Sequence, residues 1–407
     1  MSNALPCFFK FAQKTVYCFV TVLFMSTFTV AQEKVDSAFK PSGNLWGLAY
    51  GDYAFKYKSD PLNRGGVNQY TGIKESESLF QFRRIYLGYD YQISKTFSSN
   101  FLLAHEENEI SSANIIPTTS GDLLSNNKVS MFIKLASVTW NNILPKTNLT
   151  MGQQYTPASV LLSEGMWDYR CIERTISDIR RTPAYDFGIQ LSGNLYDNKK
   201  TEIGYNLMIG NGNAAKPEND KFKWFYSDVY VKFLNKKMLF DIYADYDRMN
   251  WTSNWHHDRY MFKALLAYTT PKITVGAEAF YNTLRNDNKA TSATQSDTLT
   301  TNASGISVFA RGAIYKNLLT FFVRYDDYNP SINNKNGTYT KYTALTPTYD
   351  PNTKEQFFTA GIDYSPINKI HIMPNVWYNN YTNAGPVANS DGYDLVYRLS
   401  LYYVYGK

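Results

Sequence analysis

The sequence predicts an all-β protein: a transmembrane antiparallel up-and-down β-barrel of about 16 strands, with a short helix-containing third loop folded into the lumen. Three observations carry this. Aromatic content is 16%, with 34 Tyr and 25 Phe, at a mean hydropathy of −0.39, which is what results when a lipid face and two aromatic girdles are averaged against a polar lumen. The final stretch alternates: Tyr393, Leu395, Tyr397, Leu399, Leu401, Tyr403 and Tyr405 occupy one phase, while Asp394, Val396, Arg398, Ser400, Tyr402 and Val404 occupy the other, which carries the charges. A run of that length suits a tilted strand crossing an outer membrane. Short turns alternate with longer polar loops along the whole chain, the pattern of a barrel with a periplasmic and an extracellular rim.

Taken in order, residues 1–31 read as a signal peptide. Lys10 and Lys14 precede an apolar run from Val16 to Val30, and Thr29-Val30-Ala31 offers small residues for cleavage. A periplasmic N-terminal segment, 32–43, follows, and the barrel takes up 44–407. Loss of the signal peptide lowers the net charge from +6 to +4, too small and dispersed a charge for nucleic-acid binding. It also removes Cys7 and Cys18, so Cys171 has no partner for an internal disulfide. No later window is long and apolar enough for a transmembrane helix.

Period-two alternation places strands near 44–57, 79–92, 97–107, 129–140, 148–155, 185–196, 201–210, 225–234, 238–247, 259–269, 273–282, 305–315, 318–327, 356–365, 369–379 and 393–405. Turns such as Ser94-Lys95-Thr96, Asn235-Lys236-Lys237 and Thr270-Pro271-Lys272 define one rim and hold both termini. Long loops near 58–78, 108–128, 156–184, 211–224, 248–258, 283–304, 328–355 and 380–392 define the other, extracellular rim. Closure is forced, because unpaired backbone groups in lipid cost several kcal/mol each, and sixteen strands enclose more space than wall side chains fill.

The third loop breaks the β pattern. Met166, Tyr169, Ile172, Ile176 and Ile179 recur at three- or four-residue intervals, which predicts a helix of about four turns. Arg170, Arg174, Asp178 and Arg181 fall on the opposite side, and with Glu173 they are the candidate pore constriction. Assigning the apolar phase of each strand to lipid leaves Arg84, Lys134, Lys232, Arg259, Lys263, Arg311, Arg324 and Arg398 facing the lumen, interleaved with Asp90, Asp228, Asp241, Asp245, Asp247, Glu278, Asp326 and Asp363. For any one of them a solvated wall residue is the plainer reading; collectively such charges set ion preference. If the loop arginines face Asp241, Asp245 and Glu278 across the lumen, a two-sided eyelet with mild anion preference results.

His105, His256, His257 and His371 have no nucleophile or carboxylate at a catalytic spacing, so neither an enzyme, a cofactor nor a metal centre is expected. Calcium at Asp241, Asp245 and Asp247 is a minor alternative. A surface adhesin, a barrel hydrolase and a secreted β protein are the competing classes.

PheGlnPheArgArgIleTyrLeuGlyTyrAspTyr (80–91), GluGlyMetTrpAspTyrArg (164–170), AspPheGlyIleGlnLeuSerGly (186–193) and TyrAsnLeuMetIleGlyAsnGly (205–212), in this order and spacing, resemble the outer-membrane porins of the phosphate-selective porin O/P-like superfamily in their Bacteroidetes form. The resemblance implies a water-filled channel for passive diffusion of small hydrophilic solutes and ions, in the outer membrane of a Gram-negative bacterium. It also implies a homotrimer surrounded by outer-membrane lipid, and a third loop that narrows the pore. Type members pass phosphate along a ladder of lumenal arginines; here acids interrupt the ladder. Tyr405, followed by Gly406 and Lys407, resembles the terminal signal read by the barrel-assembly machinery.

Overall fold

The structure, a computed structural model, describes residues 39–64, 70, 73–106, 130–180, 183–249, 257–332, 339–344, 352–383 and 391–406. The expected signal peptide, Arg181 and His256 lie outside these residues. In chain order the strands are β1 (Ser42–Lys58), β2 (Ser78–Gln92), β3 (Phe97–Glu106), β4 (Phe132–Leu144), β5 (Thr147–Tyr155), β6 (Tyr185–Asp197), β7 (Glu202–Gly210), β8 (Trp224–Phe233) and β9 (Met238–Met249). They continue as β10 (His257–Thr269), β11 (Ile273–Thr291), β12 (Ser296–Tyr315), β13 (Leu319–Ile332), β14 (Lys341–Ala344), β15 (Thr353–Ile367), β16 (Ile370–Asn383) and β17 (Gly392–Tyr405). All but β14 form the wall, each antiparallel to its neighbours, and β1 closes the ring by pairing with both β2 and β17.

Alternation decides which way the wall faces. On β17, Leu399 is 48% exposed on the outside while Arg398 and Ser400 are 4% and 1% exposed on the inside. The same phase leaves Phe80, Ile133, Val229, Ile242 and Phe262 exposed around the outer surface. An unbroken apolar belt over a closed strand wall is what a bilayer covers. No helix among the described residues is long and apolar enough to cross a membrane.

Two irregularities re-aim side chains. The β1–β2 register shifts between Tyr50, opposite Arg84, and Gly51, opposite Phe82, leaving Arg83 as the extra residue. At such a bulge the strict in-out alternation fails, and Arg83 and Arg84 are both buried on the inner side. Gly51 makes room for this, since a Cβ there would lie 2.2 Å from the carbonyl oxygen of Gln81. A second shift between Leu102 and Leu103, opposite Leu135 and Ile133, likewise buries the consecutive pair Lys134 and Leu135.

The expected loop at 283–304 is corrected. Most of it is strand: β11 and β12 run on as a hairpin, and β14 pairs with Asn288–Thr291 at its tip. Beyond the lipid belt both faces of a strand meet water, so the hydrophobic alternation that marks wall strands disappears, while the threonines of 291–301 retain their preference for extended backbone. The first long loop also departs from a purely extracellular path. Its Tyr70 is fully buried inside the ring among Ala54, Phe357, Trp377 and Val396.

Candidate pore constriction

The third loop leaves β5 and returns to β6 through a narrow neck. Thr156 donates its N–H to the Ala184 carbonyl at 3.1 Å and its hydroxyl to the Pro183 carbonyl at 2.6 Å. The loop does not form the expected helix of four turns. It carries two five-residue helices, α1 (Ser163–Trp167) and α2 (Ile176–Arg180). Asp168 takes a left-handed conformation (φ 63°) and ends α1, its N–H bonding the Glu164 carbonyl at 2.7 Å. Between the helices the chain turns, with Ile172 and Glu173 donating to the Tyr169 carbonyl.

The break has a specific cause. Short helices leave carbonyls without intrahelical donors, and wall bases supply the donors. Arg83 Nη1 bonds the carbonyls of Cys171 at 2.9 Å and Ile172 at 3.2 Å. Arg398 Nη1 bonds that of Ile172 at 3.1 Å, and Arg324 Nη1 that of Arg174 at 2.6 Å. Arg311 Nε bonds the Met166 carbonyl at 3.1 Å, and Lys263 donates to the Ser163 hydroxyl at 2.7 Å. The apolar residues that suggested one stripe do pack inward, but in two places. Tyr169, Cys171 and Ile172 join Trp167, Phe309, Phe322 and Met373, while Ile176 joins Met208, Trp224, Phe280 and Tyr328.

The loop's own charges pair among themselves, which corrects the expected eyelet. Arg170 bonds Glu164 at 2.5 Å and Asp178 at 2.7 Å, and Arg174 lies 3.8 Å from Asp178. Burial raises the pKa of Asp178, and the Arg170 and Arg174 guanidiniums more than reverse this, holding the carboxyl below its ordinary range. Coulomb attraction falls with distance, so acids in the same loop outcompete acids on the far wall. Glu173 accepts from the Trp377 indole at 3.1 Å. Burial pushes the Cys171 thiol up to about 12.

The wall residues chosen from the sequence all lie on the inner side, most in pairs. Arg84 lies 3.0 Å from Glu106 and Lys134 2.5 Å from the same carboxylate. Lys263 lies 3.1 Å from Asp241 and 3.9 Å from Glu278, which in turn accepts the Ser177 N–H. Arg259 lies 3.5 Å from Asp287, Arg311 3.3 Å from Asp168, and Arg324 2.5 Å from Asp326. Asp245 accepts from the Tyr243 hydroxyl at 2.7 Å, and Arg398 bonds Asn375 and Tyr70.

Arg83, Trp167, Tyr70 and Trp377 are contributors that strand phasing passes over. The doublet Arg83-Arg84 in mid-strand was a legible sign of the bulge; nothing in the first loop's sequence marks Tyr70 as lumenal. At the short-turn rim a cavity of about 420 Å³ is lined by residues that include Asn44, Asp90, Tyr91, Gln92, Ser98, Ser99 and Asn100.

No family model and no curated protein sequence matches the chain. Solved structures do. The chain is similar to the outer-membrane channel DcaP of Acinetobacter baumannii (TM-score 0.60, 12% identity, covering 90% of this chain and 97% of that one). It is similar to the anion-selective porin of Comamonas acidovorans (0.54, 10%, 90% and 100%). It also resembles the trimer form of OmpT, an outer-membrane protein of Vibrio cholerae (0.52, 11%, 90% and 100%). At these identities the likeness establishes the fold, a closed antiparallel barrel.

Proposed function

We propose that this protein is an outer-membrane porin of a Gram-negative bacterium: a channel for passive diffusion of small hydrophilic solutes and ions, constricted by the third loop. The observation that carries this is a closed strand wall, apolar outside and densely ionic inside, with a polar loop bound across its interior. Membrane-spanning barrels of this size enclose an aqueous path when side chains alone do not fill them. The similarity to outer-membrane channels and porins supports the same reading, and the trimer form among them supports a homotrimer. Residues 1–31 act as the export signal in this reading, and the porin O/P-like superfamily is the proposed family.

Three unpaired loop guanidiniums would favour anions, but Arg170 and Arg174 are tied to Glu164 and Asp178. The test is conductance of the purified protein in a planar lipid bilayer. Discrete, salt-dependent current steps are expected. Insertion without current overturns the proposal and returns the barrel to an adhesin or hydrolase role.

A further inference from the structure

We infer that the channel prefers cations, selected by a stripe of carboxylates on the inner face of β6–β9. The inference rests on the channel reading. Asp186 on β6, Asp228 on β8, and Asp241, Asp245 and Asp247 on β9 are all buried on the inner side. The inward base on these strands, among the described residues, is Lys232 near the short-turn end, where Glu202 already holds it at 2.9 Å.

Neutral donors hold much of this stripe. Asn206 bonds Asp228 at 2.7 Å, Tyr243 bonds Asp245 at 2.7 Å, and Asp186 accepts from the Gly212 N–H at 2.7 Å and the Tyr226 hydroxyl at 3.0 Å. A neutral donor orients a carboxylate without cancelling its charge.

The middle of the stripe is left incomplete. Asp228 pairs across the strands with Tyr243, and Tyr230 with Asp241, so the two carboxylates are diagonal neighbours on one face. Among the described residues, Asp228 Oδ2 and Asp241 Oδ1 have no hydrogen-bond partner, although the residues are 1% and 0% exposed. Lys263 reaches Asp241 through the other oxygen, at 3.1 Å, and its charge is shared with Glu278 at 3.9 Å and the Ser163 hydroxyl at 2.7 Å. Buried carboxylate oxygens without a partner are unfavourable, and a cation arriving along the lumen satisfies them.

The opposite sector does not offset the stripe. Arg83 lies 3.7 Å from Asp52, Arg324 is held by Asp326 and Arg84 by Glu106, while Arg398 keeps its charge on the neutral acceptors Asn375, Tyr70 and Ile172. Among the described buried side chains, seventeen are Asp or Glu against nine Lys or Arg. A one-signed wall in a narrow, low-dielectric passage concentrates the opposite ion.

The experiment measures reversal potential across a KCl gradient at mildly alkaline pH, using the mature protein in a planar bilayer. Wild type should favour K⁺ over Cl⁻. The Asp228→Asn/Asp241→Asn double variant, shown folded by its heat-modifiable gel mobility, should lower the permeability ratio by about twofold or more, with a larger change at low salt. Should the double variant not fold, Asp228→Asn alone should shift the ratio in the same direction by less. Chloride preference in wild type, or an unchanged ratio in a folded variant, overturns the inference while leaving the channel reading intact. Absence of all current refutes the channel reading instead. In that case crystals soaked in RbCl decide: anomalous density beside Asp228 and Asp241 supports the stripe as a cation site, and its absence overturns it.

Discussion

Leu399 and Ser400 are adjacent on β17, yet one meets lipid and the other the barrel interior. Leu399→Arg should therefore impair insertion, since a charge near the bilayer midplane costs about 2–4 kcal/mol, whereas Leu399→Phe should insert normally. Heat-modifiable gel mobility after refolding into liposomes measures both; equal folded fractions would mean the outer phase of β17 is misassigned. This phase was readable because seven successive odd positions are apolar or aromatic while both charges, Asp394 and Arg398, fall on even ones. What alternation did not reveal is how full the interior is. Ser400 accepts the Asn375 amide at 3.1 Å, so an inward position on this strand is packed as well as polar. Arg83 was unreadable by phase for a different reason: one extra residue in the strand reverses the rule locally, and only the adjacent pair of arginines hinted at it.

At the scale of the element, the third loop was identified as the insert and its apolar residues as inward, but its shape was not. A helical wheel takes each carbonyl to be satisfied four residues later, and the wall guanidiniums compete for those same carbonyls. Removing two of them, in Arg324→Gln/Arg398→Gln, should unseat the loop, because hydrogen bonds to charged groups contribute about 1.5–3 kcal/mol each. Cys171 reports on this: buried and with its thiol pushed up to about 12, it should resist maleimide in wild type and label faster in the double variant. Unchanged labelling would mean that apolar packing alone holds the loop.

The same loop should loosen in acid. The folded pKa of Asp178 lies below its ordinary value, so its contribution is present above the ordinary carboxylate range and is lost as pH falls below about 4 through the depressed folded value. Labelling of Cys171 during a brief acid exposure, by an aromatic pyridyl disulfide that still reacts with thiols in acid and is removed before neutralisation, should rise on the acid side in wild type. Asp178→Asn should label readily at all pH values and show less dependence.

For the whole molecule, the sixteen wall strands and the rims on which the turns and loops fall were legible, because lipid imposes closure and closure imposes regular alternation. The β11–β12 extension and β14 were not, since they stand where lipid imposes no pattern. The lumen's chemistry was only half legible: the residue types were visible, while their partners depend on which side chains face each other across the ring. One of those pairings bears on how such a molecule can change. Arg83, Arg324, Arg398 and Arg311 hold the third loop by its peptide carbonyls, and every amino acid supplies the same carbonyl. The mooring is thus indifferent to many of the loop's side chains, so a lineage can exchange the groups that meet the solute while the wall keeps its grip, and acquire a new diet without first reinventing its scaffold.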